Sequence, residues 1–156
     1  MTASTYEKAL KLLARRAHSR RQLEKKLLRS SDQSVVEEVL ERLTAAGYLD
    51  DSQYAFSRAD YLRRHKKWGN LRIRLDLKKN GVSATIIDYA LSQLEEEQPE
   101  LATLRRVILS GIERFGTPVR VSDLKKIFDR CVRLGYSPAM VRSELEIYFS
   151  SVNWEE

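Results

Sequence analysis

Turn formers, thiols and long apolar runs are all scarce in this chain. Six glycines and three prolines in 156 residues are too few for a turn-rich β-sandwich, and Leu, Arg, Lys, Glu and Ala favour helices. A single cysteine, Cys131, excludes an internal disulfide, and with only His18 and His65 beside it no zinc ligand set can be assembled. Its apolar neighbours at helical spacing make Cys131 a buried structural thiol. Apolar runs such as Val107-Ile108-Leu109 stop far short of the roughly 18 to 20 residues a membrane helix needs. The segment Met1 to Tyr6 lacks the charged-then-apolar layout of a signal peptide, so a cytoplasmic location is expected. No phosphate-binding glycine loop, GxSxG, HExxH or Cys paired with His occurs. The expectation is therefore a non-enzyme without metal or cofactor.

What is present is charge and helical periodicity. The chain is 42% hydrophobic and 32% charged with net charge +6, enough for one or two compact domains with a real core. The charge is uneven. Residues 1 to 79 carry 19 Lys and Arg against 10 Asp and Glu, whereas residues 80 to 156 carry 9 against 12. A localised basic surface suits a phosphate backbone or an acidic protein partner.

The order of elements repeats. Ala9, Leu10, Leu12, Leu13 and Ala17 form an apolar stripe on a helix over about 5–17. Ser19-Arg20-Arg21-Gln22 has the form of a capping box, opening a helix that carries Leu23, Leu27 and Leu28. A second such box, Ser34 to Glu37, opens a third helix that ends at Gly47. The layout returns with a helix from Ser52 to about Lys66, a break at Trp68-Gly69-Asn70, a basic helix from Leu71 to Asn80, and another after Ser83. Leu23 and Leu27 match Ile73 and Leu77 at an offset of 50, and Val35, Val36, Leu40 and Leu43 match Ile86, Ile87, Leu91 and Leu94 at 51. A third copy, Gly135-Tyr136-Ser137-Pro138, answers to Gly81-Val82-Ser83-Ala84 at 54. In both the glycine is a helix C′ residue, the next residue packs back, and serine caps the following helix. The expected fold is all-α: an elongated, curved array of three tandem three-helix, helix-turn-helix-like repeats, over 1–47, 48–98 and 99–156. Pro99, after the acidic Glu95-Glu96-Glu97, marks a boundary.

Two strings carry the candidate chemistry. Gly47-Tyr48-Leu49-Asp50-Asp51, followed by Tyr54 and Ala55, presents adjacent carboxylates that could suggest a metal or acid/base pair. Its position suggests instead that Gly47 closes a helix, Tyr48 and Leu49 cover the joint, and an aspartate caps the next helix. The run Arg63 to Lys79 holds eight Lys and Arg against one acid. With Arg58, its Arg63, Arg64, Lys66, Lys67, Arg72, Arg74, Lys78 and Lys79 are the candidate contacts to a partner or to DNA. The opposing reading has Ile73, Leu75 and Leu77 facing inward while the charges only solvate. Trp68 is favoured as a core anchor over a stacking platform. Leu75 to Leu91 also has helix-turn-helix form, making a nucleic-acid-binding regulator the alternative. Its second helix, Ala84 to Leu91, has no Lys or Arg to read base edges.

Taken together, Ser19 to Leu28, Gly47-Tyr48-Leu49-Asp50-Asp51 with Tyr54-Ala55, Gly69, Arg72-Ile73, Leu77 and Lys79-Asn80-Gly81-Val82 resemble the RecX family, from about Ala9 to Tyr148. The resemblance implies an all-α, monomeric protein that binds RecA filaments on single-stranded DNA. It implies control, usually inhibitory, of filament growth, ATP hydrolysis, strand exchange and co-protease activity in DNA repair and the SOS response.

Overall fold

The computed structural model describes residues 2–116 and 119–153, with side chains up to Tyr148. Among these, the chain forms nine α-helices: α1 (Thr2–Arg15), α2 (Arg20–Leu27), α3 (Gln33–Ala45), α4 (Asp51–Lys66), α5 (Asn70–Lys79), α6 (Ala84–Glu97), α7 (Glu100–Phe115), α8 (Val121–Arg133) and α9 (Pro138–Leu145). A short 3-10 helix, Glu146–Ser151, follows. Strands β1 (Val119–Arg120) and β2 (Val152–Asn153) pair in parallel, Val119 opposite Val152. The architecture is an all-α repeat array, as expected, with the 3-10 helix and the strand pair added among the described residues.

Local chemistry explains most boundaries. Ser19 and Gln22 form the expected capping box: Ser19 Oγ accepts from Gln22 N at 3.2 Å while Ser19 N donates to Gln22 Oε1 at 3.0 Å. The box expected at Ser34 does not form. Asp32 is the N-cap residue, Ser34 lies inside α3, and Glu37 accepts from Gln33 Nε2 at 3.2 Å. Helix α1 starts earlier than its apolar stripe, at Thr2.

Gly47, Gly81 and Gly135 end α3, α5 and α8 at φ of +82°, +83° and +102°, conformations that cost an L side chain roughly 1–2 kcal/mol. Each turn closes with paired bonds, for α5 Val82 N to Leu77 O at 3.0 Å and Gly81 N to Lys78 O at 3.1 Å. As expected, Val82 and Tyr136 pack inward, and Ser83 and Ser137 accept from Ile86 N and Met140 N.

The repeat is visible in burial. Leu23, Leu27, Ile73 and Leu77 are all 0% exposed, and Val36, Leu40 and Leu43 are buried like their matches Ile87, Leu91 and Leu94. Leu75 breaks the inward reading of α5, being 66% exposed. A 100° step per residue puts Ile73 and Leu77 on one side and Leu75 opposite.

By spatial clustering the chain forms two compact units, Met1–Arg58 with Asp76–Ala90, and Ala59–Leu75 with Leu91–Glu156. The first is built on Ala9, Leu23, Leu27, Val36, Val39, Leu40, Leu43 and Leu49. The second has a core of Leu104, Val107, Ile108, Ile112, Leu124, Ile127, Cys131 and Tyr136 among others. Burying each Leu, Ile or Val among them contributes about 1.5–3 kcal/mol.

Candidate functional site

The two units each contain a joint of the same design, in which a glycine turn meets the start of a second helix. In the first unit, Ser19 Oγ donates to Asn80 O at 2.5 Å and Gln22 Nε2 to Asn80 Oδ1 at 3.1 Å. A Cβ on Gly81 would stand 2.4 Å from Arg21 Cβ. In the second unit, Gly69 N donates to Leu134 O at 2.8 Å and Leu71 N to Gly135 O at 3.1 Å. A Cβ on Gly135 would stand 2.4 Å from Arg72 Cβ. Both glycines are therefore required by conformation and by contact.

Both paired aspartates accept hydrogen bonds from backbone N–H groups at helix starts. Asp50 Oδ1 caps α4 by accepting from Ser52 N at 3.0 Å and Gln53 N at 3.2 Å. Asp51 Oδ1 accepts from Arg20 N at 2.8 Å, placing a carboxylate at the first turn of α2. No group of three or more His, Cys, Asp or Glu among the described residues could hold a metal ion. Leu49 is buried, but Tyr48, expected to cover the same joint, is 60% exposed. Tyr54 is buried, and its hydroxyl pKa is pushed up chiefly by that burial.

The nine candidate cations separate by environment. Arg63 is 0% exposed, so it cannot touch a partner: this corrects its inclusion in the basic surface. Its Nε donates to Trp68 O at 2.8 Å, its Nη1 to Gln98 O at 2.6 Å and its Nη2 to Asn70 Oδ1. Burial lowers its pKa, opposed by nearby Tyr136, Glu100 and Glu95. The rigid five-donor fork suits this place, a joint where α4, the 68–70 break and the α6–α7 link expose carbonyls. Glu100 Oε1 accepts from Asn70 N at 3.0 Å in the same region, and Pro99 is the N-cap residue of α7.

Arg58 and Arg72 brace the two joints. Arg58 holds Asp76 through two bonds of 3.0 Å, and Asp76 Oδ1 also accepts from Asn80 Nδ2 at 3.2 Å. Arg72 lies 4.0 Å over the half-buried Trp68 ring and donates to Arg133 O at 3.1 Å. Trp68 is thus neither fully buried nor bare. Arg64 pairs with Asp60 at 3.2 Å on the surface, a contact worth about 0.3–0.5 kcal/mol. Arg74 is half-buried, while Lys66, Lys67, Lys78 and Lys79 are exposed. Lys67 holds the only positive φ, +59°, among the described non-glycine residues. Its carbonyl accepts from Tyr136 Oη at 2.7 Å, and its Nζ donates to Arg64 O at 2.8 Å.

The helix-turn-helix α5–Gly81–α6 is present, yet α6 carries no Lys or Arg, and its exposed Ala84, Thr85, Asp88 and Tyr89, with Ser83 before it, offer poor groove readers. Among the described residues no helix is long and apolar enough to cross a membrane.

Comparison with known proteins agrees with the fold. Residues 6–43 match the first three-helix domain of RecX, and residues 50–91 the second. Regulatory protein RecX of Xanthomonas citri is 32% identical over 142 residues, spanning 88% of this chain and 83% of that protein. Regulatory protein RecX of Chlorobium phaeobacteroides is 28% identical over 94% of both chains. The crystal structure of RecX from Lactobacillus salivarius has the same fold, with a TM-score of 0.82 at 19% identity over 94% of this chain and 96% of that one. With both domains matched in order and the similarity running along most of the chain, this protein belongs to the RecX family.

Proposed function

We propose that the protein binds the RecA recombinase filament on single-stranded DNA and lowers its ATPase, strand-exchange and co-protease activities. Membership of a family whose matched members are named regulatory proteins carries this reading. The uneven charge supports it: residues 1 to 79 carry 19 Lys and Arg against 10 Asp and Glu, a basic excess suited to an anionic partner.

The contact surface in this proposal is the basic run without Arg63. Lys66, Lys67, Lys78 and Lys79 supply exposed charge; Arg64 is also exposed, and Arg58, Arg72 and Arg74 are part-buried. Three-helix modules over 1–47, 48–98 and 99–156, acting as a monomer in the cytoplasm, engage neighbouring protomers and obstruct their cycling by occupancy, without catalysis or cofactor.

Replacing Lys66, Lys67, Lys78 and Lys79 together with Gln tests the surface. All four are exposed, so folding is expected to persist. Inhibition of RecA should weaken and lose much of its salt dependence. Full inhibition with an unchanged salt response would contradict the assignment.

A further inference from the structure

The second unit contains a cationic recess that the half-chain charge balance conceals. It lies where α7 crosses α8, has a volume of about 350 Å³, and is lined by Gly111, Arg114, Phe115, Lys126, Ile127, Arg130 and Arg133. Lys126, Arg130 and Arg133 are spaced by four and three residues, which places them on one face of α8. Arg114 reaches the same recess from the last turn of α7. Close approach of the helices forms its floor: a Cβ on Gly111 would stand 2.9 Å from Ile127 Cγ1.

The lining holds four cations and no carboxylate, although residues 80 to 156 carry more acids than bases. Among the described residues, none of the four forms an ion pair. Phe115 stands 38% exposed within this charge, its ring centroid 5.7 Å from Lys126 Nζ.

We infer that this recess binds the backbone of single-stranded nucleic acid, its cations taking phosphates and Phe115 stacking on an unpaired base. Converging unpaired cations select a polyanion. The exposed aromatic in their midst distinguishes a single strand from an acidic peptide, which has no base to stack, and from a duplex, whose bases are already stacked. The inference deepens the proposal that the protein works on a filament containing single-stranded DNA.

The test is fluorescence anisotropy of the full chain with a labelled oligothymidylate across a salt series, without recombinase. Each phosphate contact contributes about 0.7 to the slope of log K against log salt for single strands. Arg130→Gln with Arg133→Gln should therefore flatten that slope by about 1.4, and Phe115→Ala should weaken binding roughly tenfold. Unchanged helical circular dichroism is the folding control, since these side chains lie on the surface. Equal affinity and slope in the charge variant would overturn the inference. So would a wild-type protein that ignores the oligonucleotide and binds polyglutamate through Arg130 and Arg133. Failure of the recombinase proposal would appear separately, as no effect of wild-type protein on RecA.

Discussion

Replacing Arg63 with Met keeps much of the side chain's length while removing every donor from a fully buried site. Trp68 O, Gln98 O and Asn70 Oδ1 then lose a charged partner together. Hydrogen bonds to charged groups are worth about 1.5–3 kcal/mol each, and a buried acceptor left unsatisfied costs about 1–3 kcal/mol. The thioether recovers part of this through apolar contact, so the net loss should be about 3–5 kcal/mol. For a domain of this size 1 kcal/mol moves the thermal midpoint by about 2–4 °C, giving a fall of roughly 6–20 °C. Arg64→Met, next along the chain but exposed and paired only with Asp60, should shift stability by no more than about 0.5 kcal/mol. Thermal melts of the two variants beside the wild type decide the matter. Equal melting of both variants would refute the buried role of Arg63.

Three further outcomes are expected. Gly135→Ala, combining a positive φ with a clash against Arg72, should cost about 2–5 kcal/mol, whereas Gly47→Ala, with nothing within 4 Å, should cost only about 1–2 kcal/mol; equal losses in urea melts would contradict the contact. Burial lowers the pKa of His18, whose ring meets Arg16 O and Lys26 Nζ at 2.9 Å. Its stabilising share is therefore present above the unfolded value of 6.5 and is lost as pH falls below it, so His18→Gln should flatten the drop in melting temperature between neutral and mildly acid pH. Cys131 is 0% exposed with its thiol pushed up to about 11; it should resist a disulfide reagent at mildly alkaline pH until the chain unfolds, and rapid labelling of the native protein would contradict its burial.

Most features set by neighbours in the chain were legible from sequence, the capping box expected at Ser34 being an exception. The Ser19–Gln22 box, the glycine turns at 81 and 135 and their serine caps all depend on residues within one or two helical turns. The buried positions of α2 and α5 followed from 3.6-residue periodicity, which also excludes the part of the opposing reading that turned Leu75 inward. Arg63 was misread because one of its acceptors, Gln98 O, lies 35 residues away. A local signal was available: Ala55, Ala59 and Arg63 are spaced by four on the buried face of α4, and Arg64 is turned off that face. Tyr48 was misplaced because the turn at Gly47 seats Leu49 inward instead. The recess at α7 and α8 was missed because Arg114 meets Arg130 only through helix packing, and because acids elsewhere in residues 80 to 156 outweigh it in the sum.

The central functional claim is tested most directly by adding the purified protein to preformed RecA filaments on single-stranded DNA and following ATP hydrolysis, beside its binding to naked duplex. Suppression of hydrolysis at protein levels well below DNA saturation is the expected result. Unaltered hydrolysis together with tight, sequence-specific duplex binding would contradict it and favour a helix-turn-helix regulator acting on DNA alone.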